Sequence, residues 1–363
     1  MNNHTYAVIM AGGGGTRLWP LSRQVQPKQT LSFGRPRTLF QMAVDRLENL
    51  VPPERIFVVT VADQAVMLQA QVPAIPQENY LLEPLPRGTA SVVGLAGIAL
   101  HHRDPRAEMI VLAADHIIEN VPYFQMVVRS GLAVARQGYL VTLGVTPTFP
   151  STGYGYIQFG DELGVFEGLP VFHVMRFKEK PNLQLAEQFL ASGDHAWNSG
   201  MFIWTVERIL HEVRRLMPDL DGKLLKISQQ WDTSRRQAVL EEVWPTIHPQ
   251  TIDFGVMEKA DQVAVIPARD LQWNDVGSWD SLFDVLEKDP QGNILVGGEH
   301  ILVDTQNTLI LSEMPEKLVA TIGVNDLIVI DTGNALLICP REKAQQVRQI
   351  VDRLKKEGQD IYL

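Results

Sequence analysis

The chain carries one cysteine, Cys339, in 363 residues. No disulfide can close within it, which suits a reducing compartment. The thiol falls in the apolar run 335–339, where a cysteine behaves as a small buried hydrophobe. Long apolar runs are missing too. The nearest candidate, 90–100, contains Ser91, Gly94 and Gly97. It falls short of the roughly 20 residues that span a bilayer and reads as a buried helix. Met1-Asn2-Asn3-His4 has no basic stretch followed by an apolar core, so no secretory leader is expected. Nor is there an excess of positive charge: 32 Lys and Arg stand against 42 Asp and Glu, a net charge of −10. A surface of that sign repels nucleic-acid backbones. Local clusters of Arg, Lys and a cation can still hold small anions at short range. These absences predict a cytoplasmic protein with no membrane or nucleic-acid partner.

What is present is an ordinary globular composition, 45% apolar and 20% charged. The first two-thirds alternates short β-rich runs (6–10, 55–60, 109–113, 140–145) with helical patterns such as 39–50 and 123–136. That alternation predicts an α/β fold of βαβ units with a mostly parallel sheet. Ligands on such sheets bind outside the carboxyl ends of the strands. From about 151 to 204 shorter strands, 171–177 among them, predict an antiparallel insertion over one end of the sheet. A helical stretch from 206 to about 243 follows. After Trp279 short strands recur between Gly, Asn and Asp turns, which predicts a small all-β unit, a β-helix or roll. A closing helix, 341–357, aligns Ala344, Val347, Ile350, Val351 and Leu354 on one face. That stripe must cover its own domain or a partner subunit, which leaves a homodimer open. The expected domains are 1–287 and 288–363.

The first strand runs into Ala11-Gly12-Gly13-Gly14-Gly15-Thr16-Arg17-Leu18. Two familiar motifs fail. The Walker loop needs Lys before its Ser or Thr, and the dinucleotide fingerprint needs a third glycine where Arg17 stands. The run alone is a weak signal for a backbone cradle for phosphates, with a plain tight turn as the competing reading. Downstream, Trp19-Pro20-Leu21-Ser22 and Pro27-Lys28-Gln29 follow. Arg17 and Lys28 thus place a guanidinium and an ammonium within reach of the loop, a pair that suits a leaving pyrophosphate. Solvated surface charge is the competing reading, and the flanking prolines count against it.

This loop, Gly12 to Ser22 with Pro27-Lys28-Gln29, resembles the signature of the sugar nucleotidyltransferases. Its Trp-Pro-Leu-Ser and Pro-Lys-Gln forms resemble the mannose-1-phosphate guanylyltransferase branch. That branch usually has an aromatic residue next, where this chain has Thr30. The resemblance implies a Rossmann-like nucleotidyltransferase domain, with mixed, mostly parallel sheet, plus a small C-terminal β-helix-like domain ending in a helix. It implies GTP and mannose 1-phosphate as substrates, GDP-mannose and pyrophosphate as products, and Mg2+ as cofactor. Gly12, Gly13, Gly14, Gly15 and Thr16 would hold the nucleotide. The sugar-phosphate oxygen is already an anion, so no general base is needed and catalysis is positioning with charge neutralisation.

Two aspartates suit a hard cation. The strand 109–113 leads to Ala114-Asp115-His116, and Asp275 lies in Trp273-Asn274-Asp275-Val276-Gly277-Ser278-Trp279. Magnesium takes one or two carboxylates and fills its other positions with phosphate oxygens and water. Read alone, Asp115 is equally a helix cap and Asp275 a turn residue. Both segments look like the family's metal-binding segments, in the expected order. His116 is expected to brace the site rather than act as a base.

At the sugar end, Phe177-Lys178-Glu179-Lys180-Pro181 offers a carboxylate and two cations, or simply a charged loop. Asn198 adds an amide that can donate to and accept from a hydroxyl. In the family these segments line the sugar-phosphate pocket, which implies that role for Glu179, Lys180 and Asn198. Gly153, in Thr152-Gly153-Tyr154-Gly155-Tyr156, resembles the sugar-facing loop. Residues 252–259 also resemble a segment near the sugar phosphate, with a weak Asp253–Lys259 surface pair as the alternative. At the base end, Glu83 can accept the two N–H groups of guanine, with Thr89 beside it. The family usually has Asn just before Thr-Ala, where this chain has Gly88.

The chain ends short of relatives that carry a C-terminal isomerase domain, so no isomerase activity is expected. Two other readings stay open. One is a sister transferase using another base or sugar, such as glucose 1-phosphate. The other is a non-catalytic relative that binds the nucleotide sugar; it would lack the set Arg17, Lys28, Asp115 and Asp275, all of which are present.

Overall fold

A computed structural model describes residues 3–13 and 15–363. The chain divides into two compact units. The first comprises Met1–Gly12, Ala43–Ala114 and Ile118–Gln272; the second comprises Gly13–Met42, Asp115–Ile117 and Trp273–Leu363.

The first unit is built on nine strands: β1 (Thr5–Met10), β2 (Ile56–Thr60), β3 (Tyr80–Leu82), β4 (Glu108–Ala113), β5 (Leu140–Val145), β6 (Tyr156–Phe166), β7 (Leu169–Lys178), β8 (His195–Thr205) and β9 (Val263–Pro267). They form one sheet in the order β3-β2-β1-β4-β8-β5-β9-β7-β6. The runs read from sequence as strands at 6–10, 55–60, 109–113 and 140–145 match β1, β2, β4 and β5 to within a residue. β1 lies parallel between β2 and β4, with Val8 facing Phe57 on one side and Val111 on the other. Every residue of β2 is buried, as a strand covered on both faces requires.

The stretch 151–204 differs from expectation. Its strands do not lie over one end of the sheet; they join it. β8 inserts antiparallel between β4 and β5, with Ile203 facing both Ile110 and Val141. Met201, Phe202, Ile203 and Trp204 are all buried, so both faces of β8 need cover, and only a central position supplies that. The helical stretch 206–243 resolves into Val206–Leu216, Pro218–Ser228 and Arg236–Val243. Pro218 ends the first helix and opens the second. The run 90–100 is buried throughout within the helix Thr89–Arg103. Among the described residues no helix is long and apolar enough to cross a membrane.

The second unit holds β10 (Ile294–Val296), β11 (Glu299–Val303), β12 (Leu309–Ser312), β13 (Leu318–Ile322), β14 (Leu327–Asp331) and β15 (Leu336–Pro340). β10, β12 and β14 stack in parallel, as do β11 and β13, giving two ladders of a short β-helix closed by antiparallel β15. The closing segment is a 3-10 turn, Arg341–Gln346, followed by the helix Val347–Lys356. Ala344, Val347 and Val351 are buried in one core with Leu18, Trp19 and Trp279. The stripe therefore covers its own unit.

Candidate active site

Lys28 is the hub of the second unit's polar cluster. Pro27 precedes a 3-10 turn, Lys28–Thr30, that leaves Lys28 only 7% exposed. Its Nζ donates to Asp115 Oδ2 at 2.7 Å and to the Asp275 backbone carbonyl at 2.6 Å. Burial pulls the Asp115 carboxyl up, but the Lys28 ammonium and the His116 ring outweigh it and hold Asp115 below the usual carboxylate range. The Trp273 indole donates to His116 Nδ1 at 3.2 Å. That leaves the proton of a neutral ring on Nε2, which lies 3.9 Å from Asp115 Oδ1.

Asp275 turns its carboxylate to the Gly277 N–H at 3.0 Å, while Asn274 Oδ1 accepts from Val276 N–H at 2.7 Å. Val276 is fully buried at φ 45°. For a β-branched residue that conformation costs on the order of 1–3 kcal/mol and concentrates at functional sites. Two tryptophans brace the loops that carry Arg17 and Asp275. Trp279 Nε1 donates to the Trp19 carbonyl at 2.9 Å, and Trp19 Nε1 to the Tyr362 carbonyl at 2.7 Å. Gly15 has φ 57°, and a Cβ there would collide with the Lys28 side chain, so glycine is required. Gly13 is exposed, Thr16 opens the 3-10 turn Thr16–Leu18, and Gly14 lies outside the described residues. The Arg17 guanidinium is exposed, with no hydrogen bond or ion pair among the described residues.

In the first unit, a Cβ on Gly12 would stand 2.6 Å from Glu83 Oε1. Glu83 is 3% exposed, and its Oε2 has no partner among the described residues. Burial pushes this carboxyl up to about 7, against the pull of a hydrogen bond from the Arg87 backbone. Thr89 opens the helix Thr89–Arg103, and its hydroxyl accepts from Ile252 N–H at 2.9 Å.

Past the end of β7, Lys180 Nζ lies 2.8 Å from Glu179 Oε1, with Lys180 itself at φ 44°. The Glu179 N–H donates to Glu258 at 3.2 Å. Gly155 has no room for a Cβ, because Glu179 Oε2 occupies that space. Asn198, on β8, donates from Nδ2 to Asp253 Oδ1 at 2.7 Å and accepts on Oδ1 from Thr142 Oγ1 and Gly200 N–H, both at 3.2 Å. Burial and the Glu179 charge raise the Asp253 carboxyl to about 6. Asp253 therefore faces Asn198 and makes no surface pair with Lys259. Gly153 stands apart on an exposed turn, its N–H donating to Ser151 Oγ at 3.2 Å. Sequence reasoning left the segment holding Asp253 and Glu258 between the sugar-phosphate site and a surface pair, and missed Thr142. The resemblance of 252–259 was a signal for the first two; Thr142, inside an apolar strand, gave none.

The nucleotidyl transferase family model matches residues 6–292, and the MannoseP isomerase/GMP-like beta-helix domain matches residues 298–354. The mannose-1-phosphate guanylyltransferase of Escherichia coli (strain K12) is 37% identical over 358 residues, covering 97% of this chain and 74% of that protein. That of Salmonella typhimurium is 38% identical over 361 residues, with coverage of 97% and 74%. The chain belongs to the mannose-1-phosphate guanylyltransferase family. A crystal structure from Thermus thermophilus, described as a "mannose-1-phosphate geranyltransferase", is 35% identical with TM-score 0.86, covering 97% of this chain and 99% of that one.

Both departures from the guanylyltransferase family pattern have local explanations. Thr30 bonds its hydroxyl back to the Pro27 carbonyl at 2.8 Å, closing the turn that carries Lys28. Gly88 sits at φ 83° and ψ 166°, and the Gln250 carbonyl fills the space a Cβ would need. An asparagine cannot stand there without moving that backbone.

Proposed function

We propose that the chain transfers GMP from GTP to mannose 1-phosphate, releasing pyrophosphate and forming GDP-mannose. The observation that carries the reading is the Lys28 ammonium, held by oxygens of both Asp115 and Asp275 in a member of this family. Two hard oxygen-bearing residues converging on one positive charge fit a small divalent cation. Asp115 and Asp275 would hold Mg2+, which would supply charge neutralisation on phosphate oxygens.

The remaining roles follow from the chemistry of each side chain. A phosphate oxygen of mannose 1-phosphate attacks the α-phosphorus of GTP, and the bond to the β-phosphate oxygen breaks. Arg17 and Lys28 neutralise the departing pyrophosphate. Backbone N–H groups of Gly12, Gly13, Gly14, Gly15 and Thr16 bind phosphates. Glu83, with a carboxylate oxygen unpartnered among the described residues, accepts from guanine, and Thr89 supports that loop. Lys180 holds the sugar phosphate, and Glu179, Asn198 and Gly153 face the hydroxyls. The same reading takes 1–287 as the catalytic domain and 288–363 as the β-rich domain, in a cytoplasmic protein. A second copy of the chain belongs to it as well, supported by the exposed apolar residues Ile301, Val303, Leu318 and Ile322 on β11 and β13.

Pyrophosphate release from each of the four common nucleoside triphosphates, with mannose 1-phosphate and separately glucose 1-phosphate, tests the reading. GTP with mannose 1-phosphate should lead by at least tenfold. Preference for another base or sugar, or no release from any pair, would overturn it.

A further inference from the structure

The Asn198 amide has one hydrogen left to offer. Gly200 N–H, which can only donate, points at Oδ1, and the Asp253 carboxylate, which can only accept when ionised, meets Nδ2. Those two neighbours fix which end of the amide is which. The Thr142 hydroxyl, shared with the Met201 carbonyl, adds a second contact to Oδ1. Gly200 N–H occupies one Oδ1 lone pair, the single Thr142 proton is divided between Oδ1 and the Met201 carbonyl, and one Nδ2 hydrogen is taken. Asn198 therefore keeps one Nδ2 hydrogen for a ligand, with its orientation fixed by Asp253 and Gly200.

The position of Asp253 does not depend on Asn198. It begins the π-helical turn Asp253–Met257, a form that recurs at functional sites. The backbone just before it is bonded to the loop 87–90. Ala90 N–H donates to the Gln250 carbonyl at 3.1 Å, Gln250 N–H to the Arg87 carbonyl at 3.3 Å, and Ile252 N–H to Thr89 Oγ1 at 2.9 Å. A carboxylate anchored this way can orient a neighbour.

Resting on the guanylyltransferase reading, we infer that Asp253 is a positioning residue for the sugar phosphate: it fixes the Asn198 amide so that its remaining N–H serves as the donor and, with Glu179, supplies the acceptors. A hydroxyl facing Asn198 must accept, and hydroxyls facing Glu179 and Asp253 must donate. A deoxy analogue lacking the hydroxyl that meets Asn198 would leave that N–H unpaired and bind more weakly.

The experiment compares wild type, Asp253→Ala and Asp253→Asn. Pyrophosphate release is followed against mannose 1-phosphate at saturating GTP, and GTP binding is measured directly without sugar. Loss of a charge-assisted positioning bond should raise KM for the sugar phosphate about 10- to 100-fold in Asp253→Ala, with kcat within about threefold. GTP affinity should not move. Asp253→Asn keeps an acceptor for Nδ2 and should recover most of the KM. A sugar KM within about twofold of wild type in Asp253→Ala, an equal loss of GTP affinity, or an Asn variant as impaired as Ala overturns the inference. If wild type uses glucose 1-phosphate instead, the function reading alone falls, and the KM for that sugar decides the role of Asp253.

Discussion

The Lys28 ammonium lies 2.7 Å from the Asp115 carboxylate, and no other described lysine does so. The charge of Lys28 holds Asp115 ionised against burial. The pair is formed across 87 residues of sequence at a side chain almost removed from water, and in the proposed reading it serves the phosphate chemistry. Lys28→Ala should lower kcat by about 10^2- to 10^3-fold, the cost typical of losing one pre-placed charge at a reacting phosphate. Steady-state pyrophosphate release measures it. Turnover within a few-fold of wild type would remove Lys28 from the machinery.

Glu83 links pH to stability and, in the proposed reading, to base binding. Its carboxyl rises from an ordinary 4.5 to about 7 because it is buried. The fold thus favours the neutral form. That contribution is complete below the unfolded value and is lost as pH climbs through about 7, where the buried charge costs about 3 kcal/mol. Glu83→Gln should therefore raise unfolding free energy at pH about 8 by up to about 3 kcal/mol, with no gain near pH 4.5. Urea titrations at the two pH values check this. If Glu83 accepts from the base as proposed, the same variant should bind GTP more weakly, and wild-type GTP affinity should fall as pH drops below about 7. Equal urea midpoints for the two proteins at pH about 8 would contradict the account.

Much of this fold could be read before any coordinates, and the reasons differ by element. β1, β2 and β5 are short apolar runs bounded by turn residues, so composition alone marks them. The central place of β8 could not be read, because insertion between β4 and β5 is decided by partners far away in sequence. Lys28, Asp115 and Asp275 stood out because each lies in an unusual motif beside a strand or tryptophan. Asp253 stayed open between a sugar-phosphate segment and a surface pair, since nothing local reveals that Asn198 lies opposite it. Positive φ at Val276 was hidden for the same reason: valine gives no warning of a left-handed backbone.

Gly88 offers a test of whether its departure from the family is structural. Its φ of 83° and ψ of 166° fall in a region essentially confined to glycine. The Gln250 carbonyl closes off the space beside it. Gly88→Asn, which writes in the family's usual residue, should lower stability by about 2–3 kcal/mol and weaken GTP binding, without gaining a base contact. Chemical denaturation and a GTP titration settle it. A variant as stable as wild type and tighter for GTP would mean that the loop rearranges to accept the amide.

Trp279 carries the last prediction. It is fully buried, and its indole N–H is the donor to the Trp19 carbonyl at 2.9 Å. Arg17 stands two residues before Trp19, and Asp275 four before Trp279, so one hydrogen bond ties the two loops that hold charged groups. Trp279→Phe keeps an aromatic ring but leaves that carbonyl unsatisfied and a void behind it. The expected cost is about 2–4 kcal/mol in unfolding free energy. Because Lys28, Asp115 and Asp275 belong to the same compact unit, kcat should fall at least tenfold through their displacement. Asp253, Asn198 and Glu179 belong to the other unit, so KM for the sugar phosphate should stay within about threefold. Measuring both constants at a temperature well below the variant's melting point separates the effects. If KM for the sugar rises while kcat holds, the tryptophan brace serves something other than the phosphate chemistry.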